Sequence, residues 1–259
     1  MAHNSKLDKT LMDVITNQAT ACYNLTLTQN GDLSHGLGDF DIQKTVGPER
    51  ITECQEFIKK SSLVILDGNF QQETIDCALR LCSENEVPVF YEPTDPKKGV
   101  KVLNSTWSRA VHYVSPNVHE LCNMAHAIID KNEEKIDASD LDDVNDLISK
   151  CKDLGRTLMG RLPNLKALIV TLGQNGVLLI EPSVQNFDQY TFTHFPVEPV
   201  DDIASVSGAG DCLSAGFIKG LLQGYDHETC VKMGIKAARL SLKSMDTVPE
   251  TLRLEEIKA

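Results

Sequence analysis

The chain has 259 residues, and its 37 acidic and 25 basic side chains give a formal net charge of −12 at pH 7. A hydrophobic share of 41% and a charged share of 24% are ordinary for a globular protein with a sizeable core. The acidic balance argues against a general nucleic-acid surface and against docking on an anionic membrane. The eight cysteines form no C-x-x-C pair and the N-terminus has no apolar signal core, so a cytoplasmic location is expected.

The first 47 residues differ in pattern from the rest of the chain. The stretch "TACYNLTLTQNGDLSHGLGDFDI" predicts a β-hairpin whose turn is Asn30-Gly31. We therefore expect residues 1–47 to form a lid-like β segment appended to a core of residues 48–259. The chain as a whole is expected to be one domain, because no marked linker interrupts it.

From about residue 48 onward, short β-rich runs alternate with helical patterns. The runs "SLVILDGN", "VPVFYE", "VHYVSP", "KALIVTLG", "VLLIEP" and "YTFTHFPVEP" predict strands, and amphipathic stretches between and after them predict helices. This alternation predicts an α/β fold with a mainly parallel sheet that helices cover on both faces. Ligands of such sheets bind beyond the carboxyl ends of the strands. The informative polar residues follow strands in this sequence: Asp67, Asn69, Glu92, Asn117, Glu120 and Thr171.

The stretch "SVSGAGDCLSAGF" at residues 205–217 places glycines where a strand gives way to a helix. Backbone N–H groups of Gly208, Ala209 and Gly210 can converge there, and the helix N-terminus adds partial positive charge, so an anion can bind. Asp211 could then accept a proton from a hydroxyl that attacks a phosphate. The alternative is that Asp211 only caps the helix. A dinucleotide site is disfavoured, because Leu213 stands where the third glycine would be needed.

Two further pairs of residues have a functional and a structural interpretation. Asn117 and Glu120 are three apart at a predicted helix start, where they could share a magnesium-linked ligand or form a capping pair. Asp67 and Asn69 end a predicted buried strand, where a substrate-side role and a plain turn are equally consistent with the residue types.

Four blocks in order resemble the ribokinase-like (PfkB) sugar and nucleoside kinases: "SPNVHEL", "IVTLGQNGVLL", "VSGAGDCLSAGF" and "KAARLSLKSMDTVPE". The resemblance extends over nearly the whole chain from about Thr20. It implies a three-layer α/β sandwich of the ribokinase type. It also implies that Asp211 is the catalytic base and that Gly208, Ala209 and Gly210 form the anion hole.

The resemblance further implies ATP and Mg²⁺ as cofactors and a small nucleoside or sugar as the other substrate. Asn117 and Glu120 would act on the magnesium and phosphate network, while Thr171, Gly173 and Gly176 would hold the nucleotide. Ser205 stands where the family has an aspartate, which argues against a K⁺ site of the family type and leaves that question open.

Within the family, "LDGNF" and "YEPTDPKKG" are most similar to the pseudouridine kinases. The expected reaction is therefore ATP-dependent phosphorylation of the hydroxymethyl group of a ribosyl compound, with pseudouridine converted to pseudouridine 5′-phosphate. The family's first strand and Gly-Gly segment have no counterpart here. This difference predicts an unpaired sheet edge and self-association, a homodimer included. It also motivates an alternative, a weak or inactive homologue that binds nucleotide or a protein partner.

Overall fold

A six-stranded mixed sheet lies at the centre of the computed structural model, which describes residues 8–27, 33–129, 143–183, 189–250 and 252–257. Its strands follow one another across the sheet in chain order. They are β3 (Val64–Asp67), β4 (Val89–Glu92), β5 (Val111–Val114), β6 (Ala167–Thr171), β7 (Val177–Pro182) and β8 (Tyr190–Phe195). All six predicted strands are therefore present.

The first four of these strands are parallel, and the last two run antiparallel to their neighbours. The expected mainly parallel sheet is thus a mixed one. The physical reason is the short connection between β6 and β7, a single 3₁₀ turn at Gly173–Asn175 that pairs Thr171 with Val177. A connection of this length joins antiparallel strands, whereas a parallel pair needs a crossover of a dozen residues or more.

Helices cover both faces of the sheet, as the alternating pattern predicts. They are α1 (Pro48–Glu53), α2 (Gln55–Lys60), α3 (Gln72–Glu84), α4 (Pro96–Gly99), α5 (Lys101–Asn104), α6 (Val118–His126), α7 (Val144–Arg161), α8 (Ala209–Leu222), α9 (His227–Leu242) and α10 (Leu254–Ile257). On one face Leu79, Leu121 and Leu158 pack against the sheet. On the other face Phe217 and Val231 pack against the opposite side chains of the same strands.

Helices α8 and α9 pack closely because small residues meet at their contact. A Cβ at Gly216 would come within 2.8 Å of the Cα of Gly234, so only glycine permits this approach. Val231 and Gly234 of α9 are both buried. Helix α7 begins at Val144, and its cap Asp143 accepts from the N–H groups of Asn145 and Asp146.

The N-terminal hairpin forms its own two-stranded antiparallel sheet. Strand β1 (Cys22–Leu27) pairs with β2 (Leu33–Asp39), with Cys22 opposite Asp39. The predicted Asn30-Gly31 turn lies outside the described residues.

Strand β3 is an edge of the central sheet. It pairs only with β4 among the described strands, and its Ile65 side chain is 61% exposed. Within the described part of the chain, no helix combines the length and the apolar character that crossing a membrane requires.

Candidate active site

The first turn of α8 presents a group of unbonded backbone donors. Gly208 is the N-cap residue and has a φ of 82°, a left-handed conformation that favours glycine. A Cβ at this position would also collide with the carbonyl oxygen of Thr247. The N–H groups of Gly208, Gly210 and Asp211 donate to no other group in the part of the chain that the structure describes. Together with the partial positive charge of a 14-residue helix, these N–H groups could bind an anion, as the sequence predicts.

The missing side chain of Gly210 leaves open space in the pocket. No described protein atom lies within 4 Å of the place where a Cβ at Gly210 would be. The residue nevertheless lines two adjoining pockets. A side chain here would therefore fill the pocket without disturbing the packing of the protein.

Asp211 is the third residue of α8, so it is not the capping residue that the alternative interpretation requires. Its carboxylate accepts no hydrogen bond from the described residues, and it faces a polar pocket. Burial, and next the negative charge of Asp67, raise the pKa of Asp211. An unbonded carboxylate with a raised pKa beside an anion site is suited to accepting a proton from a hydroxyl.

Asn117 and Glu120 form a capping box at the start of α6. Asn117 Oδ1 accepts from the Glu120 N–H at 2.9 Å, and Glu120 Oε2 accepts from the Asn117 N–H at 2.8 Å. The structural interpretation is therefore correct. It does not displace the functional one, because both residues also line the polar pocket. Glu120 is buried, which raises its pKa.

Glu92, at the carboxyl end of β4, is a site residue to which the sequence analysis assigned no role. Its Oε2 lies 3.2 Å from the hydroxyl of Ser214, which in turn lies 3.3 Å from the hydroxyl of Ser115. Burial raises the pKa of Glu92 to about 8, and the nearby charges of Glu120 and Asp211 contribute. Its position directly after a parallel strand is the signal that could have identified it.

The polar pocket has a volume of about 360 Å³ and is lined mainly by residues that follow strands or begin helices. We call it the polar lobe. Its lining residues are Glu92, Thr94, Ser115, Asn117, Glu120, Thr171, Val206, Gly208, Gly210 and Asp211. Three of these are carboxylates, and no lysine or arginine is among the described residues that line it. An anionic ligand here would depend on the backbone donors of α8 and on a cation.

A second pocket of about 530 Å³ adjoins the first, and the two share Thr171, Val206 and Gly210. We call it the apolar lobe. It is lined by Gly173 and Gly176, by the chain between β8 and α8, and by α9. Ile203 and Val206 are 51% and 53% exposed there, so apolar surface is available to a flat ring system. Neither residue was among the candidates from the sequence alone.

Asp67 and Asn69 line neither lobe. They lie at the end of β3, where Asp67 Oδ1 accepts from the Asn69 N–H at 2.8 Å. Asp67 is close enough to Asp211 to raise its pKa. The structure therefore brings together Asn117, Glu120, Thr171, Gly173, Gly176 and residues 208–211 around the two lobes. It leaves the expected substrate pair beside the polar lobe.

The polar lobe offers oxygen ligands of the kind that Mg²⁺ prefers, namely the Glu120 carboxylate and the Asn117 amide. Among the described residues no group of three or more His, Cys, Asp or Glu side chains is arranged as a metal cluster. One carboxylate and one amide suit an ion that keeps several waters and takes few protein ligands. Ser205 Oγ accepts from the Ser207 N–H at 3.1 Å, so it is engaged in the turn before α8.

The chain is similar over most of its length to known kinases. The pfkB family carbohydrate kinase model matches residues 2–252. A pseudouridine kinase of Arabidopsis thaliana is 26% identical over 284 aligned positions, which cover 92% of this chain and 72% of that protein. A ribokinase of Lactococcus lactis is 25% identical over 82% of this chain and 58% of that protein.

Among solved structures, a ribokinase from Cryptococcus neoformans in complex with ADP has a TM-score of 0.71 at 16% identity, over 91% of this chain and 70% of that one. This chain thus spans roughly three fifths to three quarters of the length of these three proteins. The family match extends over nearly all of the 259 residues, and the chain belongs to the pfkB family of carbohydrate kinases.

Proposed function

We propose that this chain transfers the γ-phosphoryl group of ATP to the hydroxymethyl group of a ribosyl compound, with pseudouridine as the favoured acceptor. The observation that carries the proposal is the Asp211 carboxylate, which has no hydrogen-bond partner among the described residues, beside three unbonded N–H groups of the first turn of α8. The similarity to a pseudouridine kinase over 92% of the chain supports the choice of acceptor.

In this reaction the oxygen of the acceptor hydroxyl forms a bond to the γ-phosphorus, and Asp211 takes the proton of that hydroxyl. The bond between that phosphorus and the β,γ-bridging oxygen breaks, and ADP leaves. The N–H groups of Gly208, Gly210 and Asp211 stabilise the negative charge on the transferred group. Glu120 and Asn117 would hold Mg²⁺, which would neutralise negative charge on the phosphates.

The two lobes divide the nucleotide between them in this proposal. The apolar lobe holds the adenine against Ile203 and Val206, and the polar lobe holds the phosphates at the start of α8. Because Gly210 belongs to both lobes and carries no side chain, the nucleotide can pass from one to the other.

A second candidate is a homologue that binds nucleotide without efficient transfer. Its supporting observation is the edge strand β3, which has no strand on its outer side among the described residues. The turn that follows β3 carries Asp67 and Asn69, the expected substrate residues. An acceptor held loosely there would react slowly, because about 1 Å of misplacement can cost on the order of a hundredfold in rate.

A two-step experiment separates these candidates. ATP with Mg²⁺ should raise the thermal unfolding midpoint of the folded chain, because a ligand that binds only the native state stabilises it. Phosphoryl transfer is then measured with pseudouridine, ribose and the common nucleosides. A raised unfolding midpoint together with phosphoryl transfer supports the kinase. A raised midpoint without phosphoryl transfer supports the nucleotide-binding homologue. No shift at millimolar ATP would contradict both.

A further inference from the structure

The side chain of Lys98 joins three separate elements beside the polar lobe. Its Nζ donates to Asn69 Oδ1 at 2.9 Å, in the turn after β3. It pairs with Asp95 Oδ2 at 3.0 Å, at the start of α4. It also lies 5.1 Å from the ring centroid of Phe40, directly after hairpin strand β2. One ammonium group therefore contacts the hairpin, the β3 turn and α4 together.

Neighbouring contacts fix this ammonium group in place. Asp95 Oδ1 accepts from the N–H groups of Lys97 and Lys98 at 2.9 and 2.8 Å, so the carboxylate is held by the helix that it caps. The Cβ of Lys98 is 2.9 Å from the position that a Cβ on Gly68 would occupy, so the aliphatic stem packs against the β3 turn. The side chain is only 30% exposed. Lys98 thus differs from a freely moving surface lysine.

The contact with Lys98 decides which end of the Asn69 amide is available. Because Lys98 binds the amide oxygen, the free polar atom of the side chain is Nδ2, which donates to no described residue. The Asp67 carboxylate accepts from the backbone N–H of the same asparagine at 2.8 Å. The turn therefore presents an N–H donor next to a carboxylate acceptor.

We propose that Lys98 is a positioning residue that holds the Asn69 amide with its NH₂ group towards the acceptor and ties this turn to the hairpin through Phe40. The inference rests on the proposed function in one respect, namely that the β3 turn faces the acceptor. The atom of the substrate that contacts the Asn69 NH₂ group is then an oxygen that accepts a hydrogen bond. A substrate whose oxygen is replaced by an N–H group at that point is bound poorly, because two donors would face each other.

The competing explanation is a solvent-exposed ion pair between Lys98 and Asp95, which would contribute little to binding or stability. The kinetic test compares Lys98→Met, which keeps the length of the stem but loses the charge and the donors, with Lys97→Met as the control. Lys97 is the exposed neighbour on the same short helix. We expect Lys98→Met to raise the KM for the acceptor roughly tenfold, the size of one charged hydrogen bond. The KM for ATP should not change, and Lys98→Arg should recover part of the loss.

A double-mutant cycle with Asn69→Ala shows whether Lys98 acts through Asn69. In the Asn69→Ala background the effect of Lys98→Met on the KM for the acceptor should disappear, because the group that it positions is gone. Additive effects, or equal effects of Lys98→Met and Lys97→Met, would overturn the inference.

A measurement that needs no turnover keeps this inference separate from the proposed function. The side-chain NH₂ resonances of Asn69 in a ¹H–¹⁵N spectrum should shift in Lys98→Met and stay in place in Lys97→Met. Unchanged Asn69 resonances in Lys98→Met would overturn the inference even in an active enzyme. Shifted resonances in a chain without kinase activity would leave the contact established and would count against the proposed function alone.

Discussion

The two sides of the site are built in different ways. The proposed nucleotide side, formed by the apolar lobe and the start of α8, comes from residues 171–242. The proposed acceptor side, formed by the β3 turn, α4 and Phe40 after the hairpin, comes from the first 99 residues, and the ammonium group of Lys98 contacts all three elements. It also adjoins the open sheet edge, where Ile65 is 61% exposed. The difference teaches that nucleotide binding and acceptor positioning can fail separately.

The largest expected effect concerns the base. Asp211→Asn keeps the shape of the side chain but cannot accept a proton as a carboxylate does, so kcat should fall by roughly two to four orders of magnitude. The midpoint shift that ATP produces should persist, because the N–H groups of α8 are unchanged. Steady-state kinetics and thermal unfolding with ATP provide the measurements. A variant that unfolds while its folded fraction keeps full activity would restore the interpretation of Asp211 as a structural residue.

The next effect concerns the pH dependence of stability. It tests whether Glu92, in the polar lobe, is shielded from water. Burial raises the pKa of Glu92 from its ordinary 4.5 to about 8, so the folded chain binds a proton here that the unfolded chain has lost. The stability from this group is present below about pH 4.5 and is lost as the pH rises through about 8. Glu92→Gln should therefore flatten the decline in the free energy of unfolding between pH 5 and 8, by an amount on the order of a few kcal/mol.

Glu120 and Asp211 also have raised pKa values, so part of the decline should remain in Glu92→Gln. Urea unfolding at several pH values gives the comparison. Parallel curves for the variant and the wild-type chain would show that Glu92 is open to water and that the lobe is not enclosed.

A third prediction compares two glycines on the nucleotide side. Gly208→Ala should destabilise the fold by roughly 1–3 kcal/mol, because φ is 82° and the new methyl group meets the Thr247 carbonyl oxygen. Gly210→Ala should leave stability unchanged or raise it by up to about 1 kcal/mol, since alanine favours the helix. It should nevertheless weaken ATP binding, because the methyl group fills the pocket. Denaturant unfolding measures the stability of both variants, and calorimetric titration measures their affinity for ATP. If Gly210→Ala binds ATP as tightly as the wild-type chain, the phosphates do not bind at the start of α8.

The smallest expected effect on folding concerns the open edge. Ile65→Lys puts a charge on the outer strand and should leave the free energy of unfolding within about 0.5 kcal/mol of the wild-type value. If the edge drives self-association, the variant should be more monomeric in sedimentation experiments. Leu222→Lys is the control, because Leu222 is 57% exposed at the end of α8, far along the chain from β3. Equal association of both variants and the wild-type chain would show that the edge is not the contact.

The sequence by itself determined the features that depend on near neighbours in the chain. The six strands follow from short runs rich in β-branched, aromatic and other apolar residues. The anion site follows from residues 208–211, because a turn of small residues before a helix exposes its N–H groups wherever it occurs. The pairing of Asn117 with Glu120 follows from a spacing of three at a helix start. The hairpin at β1 and β2 was predicted from its alternating pattern, and the division of the chain at residue 47 stays a prediction.

Only the tertiary structure decided the roles that depend on distant partners. Glu92 is one of several polar residues at strand ends in the sequence, and its environment is set by Ser214, which lies 122 positions away in the chain and donates to it. Lys98 has no assigned role in the sequence, and it becomes a connecting residue because separate elements bring Asn69 and Phe40 to it. The physical reason is the same in both cases. The pKa of a carboxyl group and the orientation of an amide are set by whatever the fold places within a few ångströms, and local sequence does not contain those neighbours.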